Sequence, residues 1–349
     1  MNKDKFLYFS QADLLAAGCF DIPMAIEVAE EALRSFHAKQ VLCPDKIIQI
    51  FDDVSQSRIN CLPATLLDQN VCGMKWVSVF PDNPKTLGLP NVSAVILLSD
   101  IRNGTPVALL EGTVCSNLRT AAISAVAAKH LAKKGAEQIS LIGAGEQAKA
   151  HFAALKAVLP SLKKCHVSSR TEMSCERFVS ELAPHFPDVA FKALSNRFHD
   201  CVRGGDVIVT ATSGQDPILQ ADWIEPGALY CHVGGWEDAL EVPLQADKIV
   251  CDCWESAKAR TQTISRLFRE GRIVDSDIHG DLHQVVCGQI EGRSNDCEFI
   301  YFNVVGLAYV DVLLACSMAE RAAGAGFGLE LPRKQMSLFD QGVVENVVF

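Results

Sequence analysis

No Cys-x-x-Cys pair occurs among the fourteen cysteines of this 349-residue chain. The closest two, Cys251 and Cys253, flank Asp252 on an expected strand; alternate strand residues share a face, but two ligands do not make a zinc site, so no metal is expected. Such irregular spacing reads as reduced, buried thiols of a cytoplasmic protein. Also missing is any run of about 18 uncharged apolar residues, so no membrane span is expected. The opening Met1-Asn-Lys-Asp-Lys5 lacks the apolar core of a signal peptide. Positive charge is in deficit: 32 Lys and Arg against 42 Asp and Glu give a net −10, which argues against nucleic acid or an anionic membrane as the main partner. There is no internal repeat, no low-complexity segment, no Ser-His-Asp set and no metal-ligand arrangement. Of nine scattered histidines, only His283, in Gly280-Asp-Leu-His-Gln284, is a candidate for a place near a site.

What is present begins at Glu137–Ala150. A short apolar run, Ile139 to Ile142, meets Gly143-Ala144-Gly145, and a helix-forming segment opens at Glu146-Gln147-Ala148. This is the G-x-G-x-x-A form of the dinucleotide-binding turn. Gly143 permits the tight turn, Gly145 lets a pyrophosphate approach the backbone, and Ala148 lets helix and strand pack closely. The helix start supplies free N–H groups and the positive end of a dipole. The strand Cys165–Ser168 then runs into Ser169-Arg170-Thr171, without the acid that binds a ribose 2′-OH in NAD sites. A guanidinium flanked by two hydroxyls suits a 2′-phosphate, so NADP is favoured, with NAD the alternative.

Around this turn the chain changes character. A strand-like piece at 6–9 precedes a helix carrying Ile22, Ile26, Ala29, Leu33 and Phe36 at helical spacing, with Pro23 in its first turn. Residues 46–51, 58–62, 73–79, 93–98 and 106–110 read as an antiparallel sheet, with a Pro- and Asn-rich loop at 80–90. An Ala-rich helix is predicted from Ser116, as N-cap, to Lys134, stopped by Gly135. Strands and helices then alternate to about residue 253, which calls for a parallel sheet covered on both faces. After residue 285 the chain turns back, with a strand at 298–302, a helix at 310–323, and a tail or oligomer arm from Pro332 to Phe349.

Three places could carry chemistry. Lys75 interrupts the apolar Met74-Lys75-Trp76, and a charge there must be paired or face a pocket. Arg119 opens an otherwise apolar helix, placed to grip a carboxylate. Glu237 or Asp238 follows the strand Leu229–Val233, at the end of the sheet where ligands bind, and could act as general acid/base. Each could equally be a structural ion pair or a solvated acid.

Together these stretches resemble the ornithine cyclodeaminase/μ-crystallin family. The resemblance rests on Gly73-Met-Lys75-Trp76-Val77, Leu118-Arg119-Thr120, Ile142-Gly143-Ala144-Gly145-Glu146-Gln147-Ala148, Val233-Gly234-Gly235 and Phe302-Asn-Val-Val-Gly306-Leu-Ala-Tyr-Val-Asp311. It implies an α/β fold: a Rossmann doubly wound parallel sheet, residues 117–309, inserted into a mixed α+β substrate-binding and dimerisation domain, residues 1–116 plus 310–349. It implies a homodimer and NAD(P)-dependent chemistry on an L-α-amino acid through an imine. Lys75, Arg119 and Gly306 would hold substrate, Lys75 would polarise the reacting centre, and Glu237 would move a proton. Thr120, Gly143, Ala144, Gly145, Glu146, Gln147, Ser169, Arg170, Thr171, Thr210, Ala211, Thr212, Val233 and Gly234 would hold the cofactor. The chain departs from the family in two places. Trp236 follows the glycines where cyclodeaminases have an Asp, and only Gln49 aligns where many members carry a carboxylate-binding Arg. The implied activity is an amino-acid dehydrogenase or imine reductase. The alternatives are an ornithine cyclodeaminase, a dehydrogenase of N-substituted glutamate, suggested by Asp82-Asn83-Pro84 and Asp252-Cys-Trp-Glu255, and a non-catalytic NADP-binding protein.

Overall fold

The computed structural model describes residues 5–52, 54–214 and 216–332. The proposed tail, apart from Pro332, lies outside the described residues. Seven strands of the first half are β1 (Phe6–Phe9), β2 (Val41–Leu42), β3 (Ile47–Asp52), β4 (Ser57–Leu66), β5 (Val71–Val79), β6 (Val92–Asp100) and β7 (Thr105–Glu111). The nucleotide half supplies β8 (Gln138–Ile142), β9 (Lys164–Ser168), β10 (Ala190–Ala193), β11 (Val207–Thr210), β12 (Leu229–His232), β13 (Lys248–Cys251), β14 (Gly280–Asp281) and β15 (Ile300–Asn303). A last strand, β16 (Leu329–Leu331), returns to the first sheet.

The first sheet runs β16-β1-β7-β6-β5-β4-β2, with β3 also on β4. From β3 to β7 it is antiparallel, as alternating apolar residues and short turns dictate. The edge is mixed, because β1 pairs parallel to β7 and antiparallel to β16. One face is covered by the helix Ala308–Gly324, and the approach is close at Gly73: a Cβ there would lie 3.0 Å from Val312 Cγ2. The opposite face carries a row from Ile47 through Cys61 and Trp76 to Val95, of which Ile47, Trp76 and Val95 are exposed.

The second sheet is wholly parallel, in the order β10-β9-β8-β11-β12-β15-β13-β14. Its central strands are mostly apolar and buried along their whole length, the pattern of a sheet covered on both faces. The chain progresses in opposite directions from β8, so the crevice between β8 and β11 is the switch point where ligands bind in this architecture.

Between the sheets lies the helix Thr113–Leu131, packed on the helices Ile22–His37 and Glu146–Val158. Ala121, Ala122, Ala125, Ala127 and Ala128 are buried and permit these close approaches. The helix starts earlier than its sequence suggested: Gly112 is the N-cap and Ser116 lies inside it. Gly112 is required because a Cβ would lie 2.9 Å from that of Ala94. Among the described residues no helix is long and apolar enough to cross a membrane, and all fourteen cysteines are unbridged.

Candidate active site

The glycine turn sits at the carboxyl end of β8. Gly143 has φ +114°, and a Cβ would overlap the Ala211 carbonyl at the end of β11. Gly145 is the N-cap of Glu146–Val158, and a Cβ there would meet nothing within 4 Å. The protein therefore leaves open space at Gly145, in front of the free N–H groups of a 13-residue helix, as a pyrophosphate needs. Ala148 is fully buried behind it. Arg170 is exposed beyond β9; Ser169 Oγ donates to Thr171 O, and Thr171 stands at the N-cap position of the next helix with its Oγ1 on Ser174 Oγ.

Lys75 lies on the covered face of β5, buried in an otherwise apolar surface. Its Nζ donates to Asp311 Oδ1 at 2.7 Å, and Arg119 Nε donates to the same oxygen at 2.9 Å. Burial and the adjacent Arg119 push the Lys75 ammonium down to about 8, with Asp311 opposing. Asp311 Oδ2 has no protein partner. The other edge of the Arg119 guanidinium rests on Gly306, where φ is +92° and a Cβ would lie 2.5 Å from Nη1. Gly306 is fixed by Asp252, whose Oδ2 accepts from Val305 N at 2.9 Å and Gly306 N at 2.7 Å. Burial outweighs these donors and raises Asp252 to about 6. Lys75, Arg119 and Gly306, far apart in sequence, thus meet at one corner.

Glu237 is fully buried below the loops that follow β11 and β12. Its carboxylate accepts from Thr210 Oγ1 (2.8 Å), from Gly234 N (2.7 Å) and from Thr212 N. Asp238 is also buried and accepts from Thr263 Oγ1; burial raises its carboxyl. His232 Nε2 stands 3.8 Å from Glu237 and 3.5 Å from Asp238. This geometry ties the loops after β11 and β12 together through the same carboxylate that the sequence offers as a proton shuttle. Thr210, Ala211, Thr212, Val233 and Gly234 are brought to the carboxyl edge of the sheet, whereas Thr120 turns its hydroxyl to Ser116 O within its own helix.

Gln49 requires a correction. It pairs with Ile59 on the exposed face of the sheet, opposite Lys75. The inward position on that chain is Lys46, in phase with Leu62 and hence with Lys75, and its Nζ is 3.5 Å from Val305 O. Sequence reasoning missed Lys46, although the two-residue period of the strand could have found it. Asp252 and Asp311 were likewise missed as site residues. His283 lies against His37 and Phe36, where the helices Leu282–Val286 and Ile22–His37 pack together. Among the described residues no group of His, Cys, Asp and Glu could hold a metal.

A doubly wound parallel sheet with a glycine turn at its switch point, facing a buried Lys–Asp–Arg cluster, defines an NAD(P)-dependent enzyme. The chain belongs to the ornithine cyclodeaminase/mu-crystallin family, whose sequence pattern matches residues 19–326. It is 30% identical over 335 residues to the N-((2S)-2-amino-2-carboxyethyl)-L-glutamate dehydrogenase of Staphylococcus aureus, covering 95% of this chain and 99% of that protein. The Δ1-pyrroline-2-carboxylate reductase of Thermococcus litoralis, solved with NADH and L-proline, superposes with a TM-score of 0.88 at 30% identity, covering 93% of this chain and all of that one. An archaeal alanine dehydrogenase dimer with bound NAD superposes at 0.85 and 29% identity, covering 94% of this chain and 99% of that one.

Proposed function

We propose that the chain is an NADP(H)-linked oxidoreductase that moves a hydride between the nicotinamide and the α-carbon of a small L-amino acid or its imine. The observation that carries this is the Lys75–Asp311–Arg119 corner, a buried, partly deprotonatable lysine beside a guanidinium that keeps one edge for a carboxylate. The bound dinucleotide supplies or accepts the hydride. Gly143, Ala144, Gly145, Glu146 and Gln147 receive its pyrophosphate, Ser169, Arg170 and Thr171 its 2′-phosphate, and Thr120, Thr210, Ala211, Thr212, Val233 and Gly234 its nicotinamide half. Arg119 and Lys46 orient the substrate carboxylate. Lys75 gives a proton to the nitrogen as the C=N bond is reduced, and takes it back in the oxidative direction. Asp311 holds Lys75 and Arg119 in register, and Glu237 positions the cofactor loops.

In the same reading, residues 117–309 form the nucleotide domain, and residues 1–116 with 310–349 form the substrate and dimerisation domain. Two copies pair through the exposed sheet face around Trp76 and Val95, and the enzyme works in the cytoplasm. The names of the relatives support the substrate class: a pyrroline carboxylate, alanine and an N-substituted glutamate are all α-amino acids or their imines.

The test is to follow nicotinamide absorbance while Δ1-pyrroline-2-carboxylate, or 2-oxo acids with amines, are supplied with NADPH or NADH. Stoichiometric oxidation, faster with NADPH, is expected. Ammonia released from L-ornithine without net absorbance change would instead mark a cyclodeaminase. Tight NADPH binding with no turnover across the panel would mark a binding protein.

A further inference from the structure

Two loops that the proposed chemistry needs are joined by one side chain. Gln262 is the N-cap of the helix Thr263–Arg269, yet its amide makes no capping bond to that helix. The side chain is buried and engaged elsewhere. Nε2 donates to Gly234 O at 2.8 Å, in the loop after β12, and to Val304 O at 3.0 Å, in the loop after β15. Oε1 accepts from Asn303 Nδ2 at 2.9 Å, and Asn303 Oδ1 stands 3.0 Å from His232 Nδ1. Both amide hydrogens and the oxygen of Gln262 are therefore in use, and a buried polar group satisfied on every side is held in one orientation.

Each of the two loops is also fastened by a carboxylate. Gly234 N donates to Glu237 Oε2, and a Cβ on Gly234 would overlap that carboxylate. Val305 N and Gly306 N donate to Asp252 Oδ2, and Gly306 lies against the Arg119 guanidinium. A bonded path thus runs from Gly234 through Gln262 to Val304, then along the chain to Gly306 and Arg119. We propose that Gln262 is a positioning residue that couples the two halves of the site: a cofactor seated at the Gly234 loop sets the loop 304–306, and with it the edge of Arg119 that receives the substrate carboxylate. The inference rests on the loop after β12 as a cofactor contact and on Arg119 as the substrate grip. Such coupling is reciprocal, so an amino acid on Arg119 tightens the cofactor by the same factor as the cofactor tightens the amino acid. It makes the cofactor-loaded chain, rather than the empty one, the form that takes substrate.

The test is amide hydrogen exchange of the full chain, read by mass spectrometry with and without saturating NADPH. Binding should slow exchange at the glycine turn, 143–146, and in the loop 233–235. In the parent it should also slow the amides of Val305 and Gly306, by about fivefold or more, the lower end of ordinary coupling between sites. Gln262→Met keeps the length of the side chain and removes its amide. It should leave the first two effects in place and abolish the third. Gln262→Glu keeps an acceptor for Asn303 Nδ2 but sets a carboxylate against both carbonyls, and should have the same selective effect. Exchange at Val305 and Gly306 that NADPH leaves unchanged in the parent overturns the coupling, and that result requires no variant to fold. Slowing at those two amides that survives both substitutions overturns it equally. If NADPH slows nothing at 143–146, the cofactor reading fails, and the coupling with it.

Discussion

At the scale of single residues, Lys75 is where structure and chemistry meet most directly. Reduction of an imine needs the protonated amine, so the reductive rate should fall as pH rises through about 8, with the oxidative rate rising over the same range. Lys75→Met should lower kcat by about 10²–10⁴-fold and erase that limb of the pH profile, with NADPH affinity kept. The same shift acts on stability. The folded protein releases this proton at about 8 and the unfolded chain near the ordinary 10.5. Between those values the unfolded state binds more protons, so this group's contribution favours folding more as pH rises through the window and less as pH falls through it. Urea midpoints of the parent and Lys75→Met at pH 8 and pH 10 would show it. Arg170→Ala should raise KM for NADPH far more than for NADH; equal losses would remove the 2′-phosphate assignment. Lys75 and Arg119 were legible in the sequence because a charge inside an apolar run demands a partner. Asp311 was not, because the partner is 236 residues away on a helix read only for its apolar face. Gln49 failed for a simpler reason: alignment by similarity ignored the strand's alternation, which turns that side chain outward.

Elements position these residues, and two of the contacts between elements are testable. The helix Ala308–Gly324 brings Asp311 to Lys75 only because Gly73 admits Val312 against β5. Gly73→Ala should destabilise the fold by about 1–3 kcal/mol, read from urea unfolding, and weaken turnover by moving Asp311. Glu237 joins the loops after β11 and β12. Glu237→Gln should therefore raise KM for the cofactor by about tenfold and leave the pH limb in place; a lost limb would restore it as the acid/base. The long elements were legible. The central strands of the parallel sheet are short, mostly apolar runs between turn residues, and the helix after Gly145 follows from the glycine pattern. Short pieces escaped: the helices Gln11–Ala16 and Asn83–Thr86, and the two-residue strands β2 and β14, are too short for a hydrophobic pattern to repeat. The start of Thr113–Leu131 was misplaced because the reason for Gly112 lies across the sheet, at Ala94.

For the whole molecule, the uncovered face of the first sheet sets the expected assembly. Ile47, Trp76 and Val95 lie exposed along one row across its strands, a continuous apolar surface of the kind that marks an interface. In a twofold dimer, a charge placed on that row would meet its own copy. Val95→Lys should convert dimers to monomers in sedimentation velocity, with the far-ultraviolet circular dichroism unchanged. Neither sheet follows the order of the sequence. β1 lies between β7 and β16, and β15 is laid between β12 and β13. As the chain leaves the ribosome, β13 is made before the strand that must separate it from β12. Until residue 303 has emerged, two unpaired edges of a strongly apolar sheet stand open, each a template for another chain. Synthesis that stalls between those strands would leave the form most prone to aggregate, so closure of this sheet is a late event in the life of every copy.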